Sequence, residues 1–402
     1  MSDKVEKAIA LEDRYGAHNY KSLPVVLSRG EACYLWDVDG KQYIDMMGAY
    51  SAVSHGHAHP KILAALNHQA SQLAVCSRAY HTDKLGAFLQ KACELTGQDK
   101  ALPMNSGAEA VETAIKASRK WGYTVKGIPE GQAEIIVCRN NFHGRTTTII
   151  SMSTEPQYRR GFSPYTPGFK VVSFGDVNEL EKAITPNTAA FLVEPIQGEA
   201  GIIVPPAGYL QACAQVCKKN NVLLIADEIQ TGLGRTGKLL ASMHENVHPD
   251  GLILGKALGG GVLPVSLFLA KESVMQVFTP GDHGSTFGGN ALASAVGLEA
   301  LNVLIDEQLI ENSAKLGDYL LAELSKIKSP AIKAVRGKGL FIGMEFDPAI
   351  ISAREVCLRL MKEGVLSKET HETVVRFAPP LVITRAILDA SLEKIRSVIL
   401  SI

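Results

Sequence analysis

The chain has 402 residues, which is too long for one ordinary hydrophobic core, so we expect two domains or one large α/β domain with a smaller one. Its 41 basic and 41 acidic residues balance, so the net charge gives no reason to expect nucleic acid or an anionic membrane as a partner. The chain has seven cysteines without a Cys-x-x-Cys pair, which is typical of reduced thiols. Its start is unlike a signal or transit peptide, and it has no long uncharged apolar stretch. These features predict a cytoplasmic protein.

The N-terminal part of the sequence predicts a small antiparallel unit followed by helices. Residues 31–45 form two alternating runs around Asp39-Gly40, the strongest short signal for a β-hairpin. Residues 60–74 and 83–95 have the apolar spacing of helices. We expect residues 1–48 to pack with a small domain at the other end of the chain.

The middle of the chain alternates between short apolar runs and helical patterns. We predict strands at residues 101–105, 134–139, 170–174, 189–196, 222–227, 251–254 and 266–270, with helices that include 107–121 and 208–219. This order predicts an α/β fold with a doubly wound, mostly parallel central sheet and helices on both faces, in a large domain of residues 49–290.

The C-terminal part, residues 291–402, predicts a smaller α+β domain. It starts with a long helical region, 291–327, which has only weak punctuation near Asp306. A strand at 340–346, a helix near 353–363, a strand at 374–377 and a terminal helix from Thr384 follow.

Two neighbouring strands of the predicted sheet end in side chains that suit one cofactor. Asp227 ends an apolar run, and Lys256 follows the next one. In open α/β sheets, ligands bind at the carboxyl ends of the strands. Pyridoxal phosphate takes a lysine Schiff base and needs an anion at its ring nitrogen, so this pair points to that cofactor.

Between these residues lies a glycine-rich stretch, Gly232-Leu-Gly-Arg-Thr-Gly237, which also matches short nucleotide-binding patterns. A P-loop requires Ser or Thr after its lysine, but Leu239 follows Lys238. A dinucleotide fingerprint requires the first glycine directly after the strand, but four residues, 228–231, intervene. We therefore interpret the stretch as a structural turn.

Several residues near the predicted strand ends have two interpretations each. Ser106 and Glu109 have the spacing of a capping box, and a helix start of this kind also binds phosphate. Phe142 could belong to the core or stack on a flat cofactor. Arg145 could lie on the surface or bind a carboxylate in bidentate fashion.

Charged residues beyond these strand ends are also open to two interpretations. Glu194 and Glu199 form a pair of carboxylates, although most glutamates are simply solvated. Arg376 lies within an apolar run and needs an anionic partner, either a substrate carboxylate or a structural salt bridge.

Three alternating histidines, His55, His57 and His59, have a spacing that could bind a metal on a strand. Gly56 and Pro60 favour a turn instead, and no carboxylate or thiol lies nearby in the sequence. We therefore predict no metal site.

Together these stretches resemble the fold-type I pyridoxal-phosphate enzymes, and among them the class III or ω-aminotransferases. The signature runs from Leu224 through Asp227-Glu-Ile-Gln230 and the glycine-rich stretch to Gly255-Lys256, and the resemblance covers nearly the whole chain. Four further stretches resemble the ornithine δ-aminotransferases of that class: Tyr15-Gly-Ala-His-Asn-Tyr20, Trp121-Gly-Tyr-Thr-Val-Lys-Gly127, Glu194-Pro-Ile-Gln-Gly-Glu-Ala200 and His283-Gly-Ser-Thr-Phe-Gly-Gly289. His143 stands where some of those enzymes carry tryptophan.

The resemblance implies roles around pyridoxal 5′-phosphate. Lys256 would form the Schiff base and move the proton, and Asp227 would keep the ring nitrogen protonated. The other residues implied in cofactor binding are Gln230 at the ring hydroxyl, Phe142 on the ring face, Glu194, and the phosphate ligands Ser106, Gly107, Ala108, Ser285 and Thr286. Because the last two reach in from the neighbouring subunit in this family, the resemblance implies a homodimer with shared active sites.

The resemblance also implies the substrates L-ornithine and 2-oxoglutarate. Arg376 would pair with Glu199 while ornithine reacts and then bind the α-carboxylate of 2-oxoglutarate. Arg145 would bind the distal carboxylate. Tyr20, with Tyr50 lining the pocket, would recognise the α-amino and carboxylate end of ornithine.

Three alternatives remain at this point. N-acetylornithine or 4-aminobutyrate could be the amino donor on the same scaffold, although Tyr20 argues against the acetylated substrate because a site built for a free amine rejects it. A nucleotide-binding protein or a non-catalytic scaffold are the alternatives from other classes.

Overall fold

The computed structural model describes residues 2–402. Its N-terminal elements are α1 (Asp3–Tyr15), β1 (Leu27–Glu31), β2 (Tyr34–Asp37), β3 (Gln42–Asp45), α2 (Gly48–Ser51), α3 (Pro60–Ala70) and α4 (Leu85–Thr96). β2 pairs antiparallel with both β1 and β3, which confirms the predicted hairpin. Both predicted helices are present, but α3 ends at Ala70, four residues before the predicted end.

The central elements alternate as predicted. They are β4 (Lys100–Met104), α5 (Gly107–Trp121), β5 (Glu134–Cys138), α6 (Thr147–Ser151), α7 (Pro156–Arg159), β6 (Phe169–Val172), α8 (Val177–Ala183), β7 (Thr188–Val193), α9 (Tyr209–Lys219), β8 (Leu223–Asp227), β9 (Gly251–Leu254), β10 (Ser266–Ala270) and α10 (Glu272–Met275). The seven strands form one sheet in the order β4-β10-β9-β8-β7-β5-β6. β10 is antiparallel to both of its neighbours, and the pairs from β9 to β6 are parallel.

Alternate side chains of this sheet belong to two separate cores. Ile135 of β5 and Ile225 of β8 pack with α5 on one face. Ile136 and Leu224, one position along each strand, pack with α9 on the other. Because both faces are covered, β7 and β8 are buried at every position, which explains their continuous apolar sequences. The doubly wound arrangement is confirmed.

The C-terminal elements are α11 (Ala291–Asp306), α12 (Leu309–Ser325), β11 (Ile332–Lys338), β12 (Phe341–Phe346), α13 (Ala353–Lys362), β13 (Val365–Leu366), β14 (Lys368–Thr370), β15 (Val374–Phe377) and α14 (Arg385–Leu400). The helical region predicted at 291–327 is two helices, because Gln308 has the left-handed φ of 53°. β11, which the sequence did not predict as a strand, joins an antiparallel sheet in the order β11-β12-β15-β14.

The N-terminal hairpin is joined to the C-terminal part by a short parallel pairing. Val365 and Leu366 of β13 pair with Ile44 and Asp45 of β3. This pairing supports the expected association of residues 1–48 with the small domain, while the three-part division of the chain stays a prediction. Within residues 2–402, no helix combines the length and the apolar character that crossing a bilayer requires.

Candidate active site

The catalytic pair predicted from the sequence lines one cavity at the carboxyl edge of the central sheet. β8 ends at Asp227, and Lys256 follows the parallel strand β9. The cavity is lined by Gly107, Ala108, Phe142, His143, Gly144, Glu194, Ile196, Gly198, Glu199, Asp227, Ile229, Gln230, Thr231 and Lys256. Burial lowers the pKa of Lys256, against the opposing charges of Glu199 and Asp227, and so favours the uncharged amine that can act as a base.

Asp227 has a partner that sequence reasoning missed. His143 Nδ1 lies 2.6 Å from Asp227 Oδ2, and both side chains are buried. The other carboxylate oxygen accepts the Ile229 N–H at 3.1 Å. Burial by itself lowers the pKa of His143, but the hydrogen bond and charge of Asp227 outweigh it, so the pKa is raised. The pair holds an oriented carboxylate at the cavity, and the His-Gly-Arg sequence after Phe142 was the signal for it.

Glu194 also lies at this edge, just after β7. Its Oε1 accepts the Phe142 N–H at 2.7 Å, while the buried Oε2 has no hydrogen-bond partner within residues 2–402. Burial raises the pKa of Glu194 to about 7. The cavity therefore contains one carboxyl group that can hold a proton near neutral pH beside the Asp227–His143 pair.

The first turn of α5 contains residues that the sequence analysis predicted to bind a phosphate. Ser106 and Glu109 make a complete capping box, which confirms that part of the prediction. Asn105 N–H also donates to Glu109, at 3.0 Å. Helix geometry leaves the N–H groups of Gly107 and Ala108 without intrahelical acceptors, and both residues line the cavity. The cap occupies the N–H groups of Asn105, Ser106 and Glu109, with the Ser106 N–H donating to Glu109 Oε2 at 2.7 Å. It leaves the N–H groups of Gly107 and Ala108 for an anion, so the cap and a phosphate at these two residues are compatible.

Ile229 is a second residue that the sequence reasoning missed. It lines the cavity and packs between two glycines. A Cβ atom at Gly107 would lie 2.9 Å from its Cδ1, and one at Gly255 would lie 3.3 Å from its Cγ2. Ile229 and Phe142 thus supply apolar walls to a cavity that also contains the polar groups of Asp227 and Lys256, as a flat aromatic ligand requires.

Arg376 forms a bidentate ion pair with Glu199, which lines the cavity. Nη1 lies 2.8 Å from Oε1 and Nη2 lies 3.1 Å from Oε2. Arg376 is fully buried. Burial alone raises the pKa of Glu199, but the charge of Arg376 outweighs it and lowers that pKa to about 2. Of the two interpretations of Arg376, the structure shows the salt bridge.

Gln230 connects to both members of this pair. Its Nε2 donates to Glu199 Oε1 at 3.1 Å, and its Oε1 accepts from Arg376 Nη1 at 3.2 Å. Gly198 makes the arrangement possible, because a Cβ atom there would overlap Gln230 Oε1. The sequence pattern gave no indication of this contact.

Tyr50 covers the arginine from the N-terminal side. The Arg376 guanidinium carbon lies 5.2 Å from the centre of the Tyr50 ring, within the range of a cation–π contact. Burial raises the pKa of Tyr50, and the nearby Tyr20 raises it further by a smaller amount. Tyr20 itself is 74% exposed in the single chain.

Arg145 lies beside the cavity residue Phe142 and is exposed. Its guanidinium carbon is 4.0 Å from the ring centre of Tyr158 and 5.6 Å from that of Phe142. It makes no salt bridge with another residue of the described chain, so its charge is available to a ligand.

The predicted phosphate ligands Ser285 and Thr286 lie on the loop before α11. Ser285 Oγ accepts from Asn105 Nδ2 of the same chain at 2.8 Å, and Thr286 is exposed. Their expected role in the site of a neighbouring subunit stays a prediction.

The alternating histidines point to separate partners. His55 contacts the Ala300 carbonyl, whereas His57 and His59 contact carboxylates that are distant in sequence, Asp45 and Glu307. Within residues 2–402, no group of three or more potential ligands converges on a metal position.

The glycine-rich stretch is a buried turn, as interpreted from the sequence. A Cβ atom at Gly234 would lie 3.2 Å from Leu304, and one at Gly237 would lie 2.9 Å from the Ala314 backbone. Both glycines have positive φ, 87° and 84°. The stretch is therefore packed against α11 and α12 and has no room for a nucleotide phosphate.

Comparison with known proteins agrees with this geometry. Residues 15–399 match the family model described as aminotransferase class-III. The chain belongs to the class-III aminotransferase family. An ornithine aminotransferase from Geobacillus sp. (strain WCH70) is 57% identical over 395 residues, 98% of each protein.

Two solved structures of this kind are also similar. The ornithine aminotransferase from Toxoplasma gondii, crystallized with oxidized glutathione, has a TM-score of 0.98 at 46% identity and matches 99% of this chain and 94% of its own. The acetylornithine aminotransferase from Elizabethkingia anophelis has a TM-score of 0.91 at 50% identity and matches 99% of each chain.

Class-III aminotransferases depend on pyridoxal 5′-phosphate, and the Toxoplasma structure has partial occupancy of that cofactor at its active site. The cavity residues fit the group. Asp227 is a buried carboxyl group, Lys256 is a lysine whose pKa burial lowers, and the start of α5 has N–H groups without intrahelical acceptors.

Proposed function

We propose that this protein transfers the δ-amino group of L-ornithine to 2-oxoglutarate, giving glutamate 5-semialdehyde and glutamate. The observation that carries the proposal is the ion pair between Arg376 and Glu199, because Glu199 lines the same cavity as Lys256. The δ-amino group of ornithine has no carboxylate on the neighbouring carbon, whereas the keto group of 2-oxoglutarate has one, and both groups must react at the same place in the cavity. A positive charge there is needed for the carboxylate of 2-oxoglutarate but not for the δ-carbon of ornithine. An arginine that a glutamate can pair with and then release meets both requirements.

Pyridoxal 5′-phosphate, when bound, supplies the electron sink for the carbon that loses its proton. Asp227 would hold the proton on the ring nitrogen, and its contact with His143 orients it for this task. Lys256 would bind the cofactor covalently and then carry the proton to and from the substrate carbon. The lowered pKa of Lys256 suits a general base.

The phosphate would be held by the N–H groups of Gly107 and Ala108, next to the Ser106 cap at the start of α5, where the helix dipole favours an anion. Ser285 and Thr286 of a neighbouring subunit would complete this site, so we propose a homodimer. A cytoplasmic location is in keeping with the seven free thiols.

The substrate residues would act in sequence. Glu199 would mask Arg376 while ornithine reacts, and Tyr20 and Tyr50 would hold the α-amino and carboxylate end. When 2-oxoglutarate binds, Arg376 would leave Glu199 for its α-carboxylate. The unpaired Arg145 would take the distal carboxylate.

A panel of amino donors with 2-oxoglutarate tests the proposal. We expect kcat/KM to be highest for ornithine among ornithine, N-acetylornithine, lysine and 4-aminobutyrate. N-Acetylornithine is the second candidate, because the similar Elizabethkingia protein is named for it. Preference for the acetylated donor would refute the ornithine assignment and leave the aminotransferase chemistry intact.

A further inference from the structure

Tyr50 lies in a turn whose backbone is left-handed. Gly48, Ala49, Tyr50 and Ser51 all have positive φ, from 46° to 76°. Left-handed conformations are unfavourable for residues with a Cβ atom, and a run of them persists only where the surroundings hold it in place. The contacts around this turn therefore decide where the Tyr50 ring lies.

Asp45 holds the beginning of the turn. Its Oδ1 accepts the N–H groups of Met47 and Gly48, both at 2.9 Å, and its Oδ2 contacts His57 at 2.7 Å. Ser54 holds the end, because its hydroxyl donates to the Ser51 carbonyl at 3.0 Å.

Ser54 is in turn held by Arg235 of the glycine-rich stretch. Arg235 Nη2 donates to Ser54 Oγ at 2.9 Å. The guanidinium is fully buried and makes no salt bridge within residues 2–402. A buried cation with only neutral acceptors is costly, which indicates a role that an apolar side chain could not fill.

Arg235 reaches the strand of Arg376 as well. Its Nη1 donates to the carbonyls of Pro379, at 2.6 Å, and Leu340, at 2.9 Å. Pro379 lies three residues after Arg376, just beyond β15. One guanidinium thus joins the turn that carries Tyr50 to the segment that carries Arg376.

Backbone contacts tie the same two segments together at both ends of the turn. Ala378 N–H donates to the Met46 carbonyl, and Leu381 N–H donates to the Ser54 carbonyl, both at 2.7 Å. These contacts set the distance between the segments. Arg235 and Ser54 are the side chains that link this junction to the turn itself.

We propose that Arg235 and Ser54 are positioning residues that hold Tyr50 against Arg376, and that this contact keeps Arg376 oriented for the carboxylate of the incoming oxo acid. The inference rests on the proposed function, since it assigns the carboxylate to Arg376. It gives the glycine-rich stretch a role: its glycines allow close packing, and its arginine is connected through Ser54 to the substrate site.

Two serines of the turn provide a matched test. Ser54→Ala removes the hydroxyl that connects Arg235 to Ser51. Ser51→Ala removes a buried hydroxyl that has no hydrogen-bond partner within residues 2–402. We expect Ser54→Ala to raise the KM for 2-oxoglutarate about five-fold, the size of one lost hydrogen bond, with kcat changed less than about two-fold. Ser51→Ala should leave this KM unchanged.

A double-mutant cycle tests whether Ser54 acts through Tyr50. In a Tyr50→Ala background, Ser54→Ala should no longer change the KM for 2-oxoglutarate, because the ring it positions is absent. Arg235→Lys should raise this KM in the parent protein, and if that variant fails to fold, the serine pair still decides the question. Thermal unfolding of each variant measures stability separately.

Three results would overturn the inference: an unchanged KM in Ser54→Ala, an equal rise in Ser51→Ala, or a rise that persists without Tyr50. If the parent enzyme does not use ornithine and 2-oxoglutarate at all, the proposed function fails first. If the parent enzyme uses both and the serine variants do not differ, only the positioning role fails.

Discussion

Replacing Glu199 by glutamine tests the masking of Arg376 directly. Burial raises the pKa of Glu199, but Arg376 lowers it to about 2, compared with an ordinary value of 4.5. This difference corresponds to about 3 kcal/mol in favour of the ionised carboxylate. An amide of the same shape would remove that attraction and leave the guanidinium available in both half-reactions.

The expected result is a change in donor preference. An unmasked Arg376 would attract the α-carboxylate of ornithine and draw its δ-amine away from the reacting position, whereas glutamate needs the unmasked arginine. We expect the ratio of kcat/KM for ornithine to kcat/KM for glutamate to fall about 100-fold, the equivalent of about 3 kcal/mol.

The assay measures each half-reaction separately, by following the absorbance of the cofactor with one donor at a time. Glu134→Gln is a suitable control, because the side chain of Glu134 is as exposed as that of Glu199, 24% against 23%, and pairs with Lys170 at the start of β5, away from the cavity. Equal losses for ornithine and glutamate, or the same change in the control, would refute the masking role.

The same variant should change the pH dependence of stability. Since the folded-state pKa of Glu199 is lowered, its contribution to the free energy of unfolding is complete above about pH 4.5 and lost as the pH falls toward 2. The stability difference between the parent protein and Glu199→Gln, measured by denaturant unfolding, should shrink over that interval.

Three further variants test other parts of the site. Lys256→Ala should still bind the cofactor but lose multiple turnover, with kcat reduced about 1,000-fold or more, and unimpaired turnover would contradict its role. Tyr20→Ala should reduce kcat/KM for ornithine much more than for 4-aminobutyrate; equal losses would remove it as a specificity residue. His143→Phe should weaken cofactor binding about tenfold, measured by titration with pyridoxal phosphate, because Asp227 loses its buried hydrogen bond. Because the folded-state pKa of His143 is raised, its contribution to the free energy of unfolding should be complete below about pH 6.5 and should decline as the pH rises through the raised value. If the stability difference between the parent protein and His143→Phe grew with pH instead, the pairing with Asp227 would be contradicted.

The sequence predicted the central sheet well because its signals are local. Every predicted strand from 101–105 to 266–270 is present, and α5 has the predicted bounds. The errors fall where backbone conformation decided the outcome. One predicted helix is two because of the left-handed Gln308, and the strand predicted at 189–196 ends at Val193, close to Pro195, which cannot donate to a strand ladder.

The predicted catalytic pair could be recognised because Asp227 is the last residue of β8 and Lys256 lies two residues after the end of β9. The contacts that orient these residues could not. His143 and Asp227 are 84 positions apart, and Gln230 meets Arg376 across 146 positions. Arg235 reaches Ser54 across 181. No local pattern reports such pairs.

By itself, the sequence determined the strands of the central sheet and the polar side chains that stand at their ends, because both depend on periodicity within a few residues. Only the tertiary structure decided which charges meet. Those contacts depend on the order of strands in the sheet, in which β10 separates β4 from β9, and on the junction that brings Tyr50 to Arg376. Both depend on how distant segments pack, and local periodicity carries no information about that.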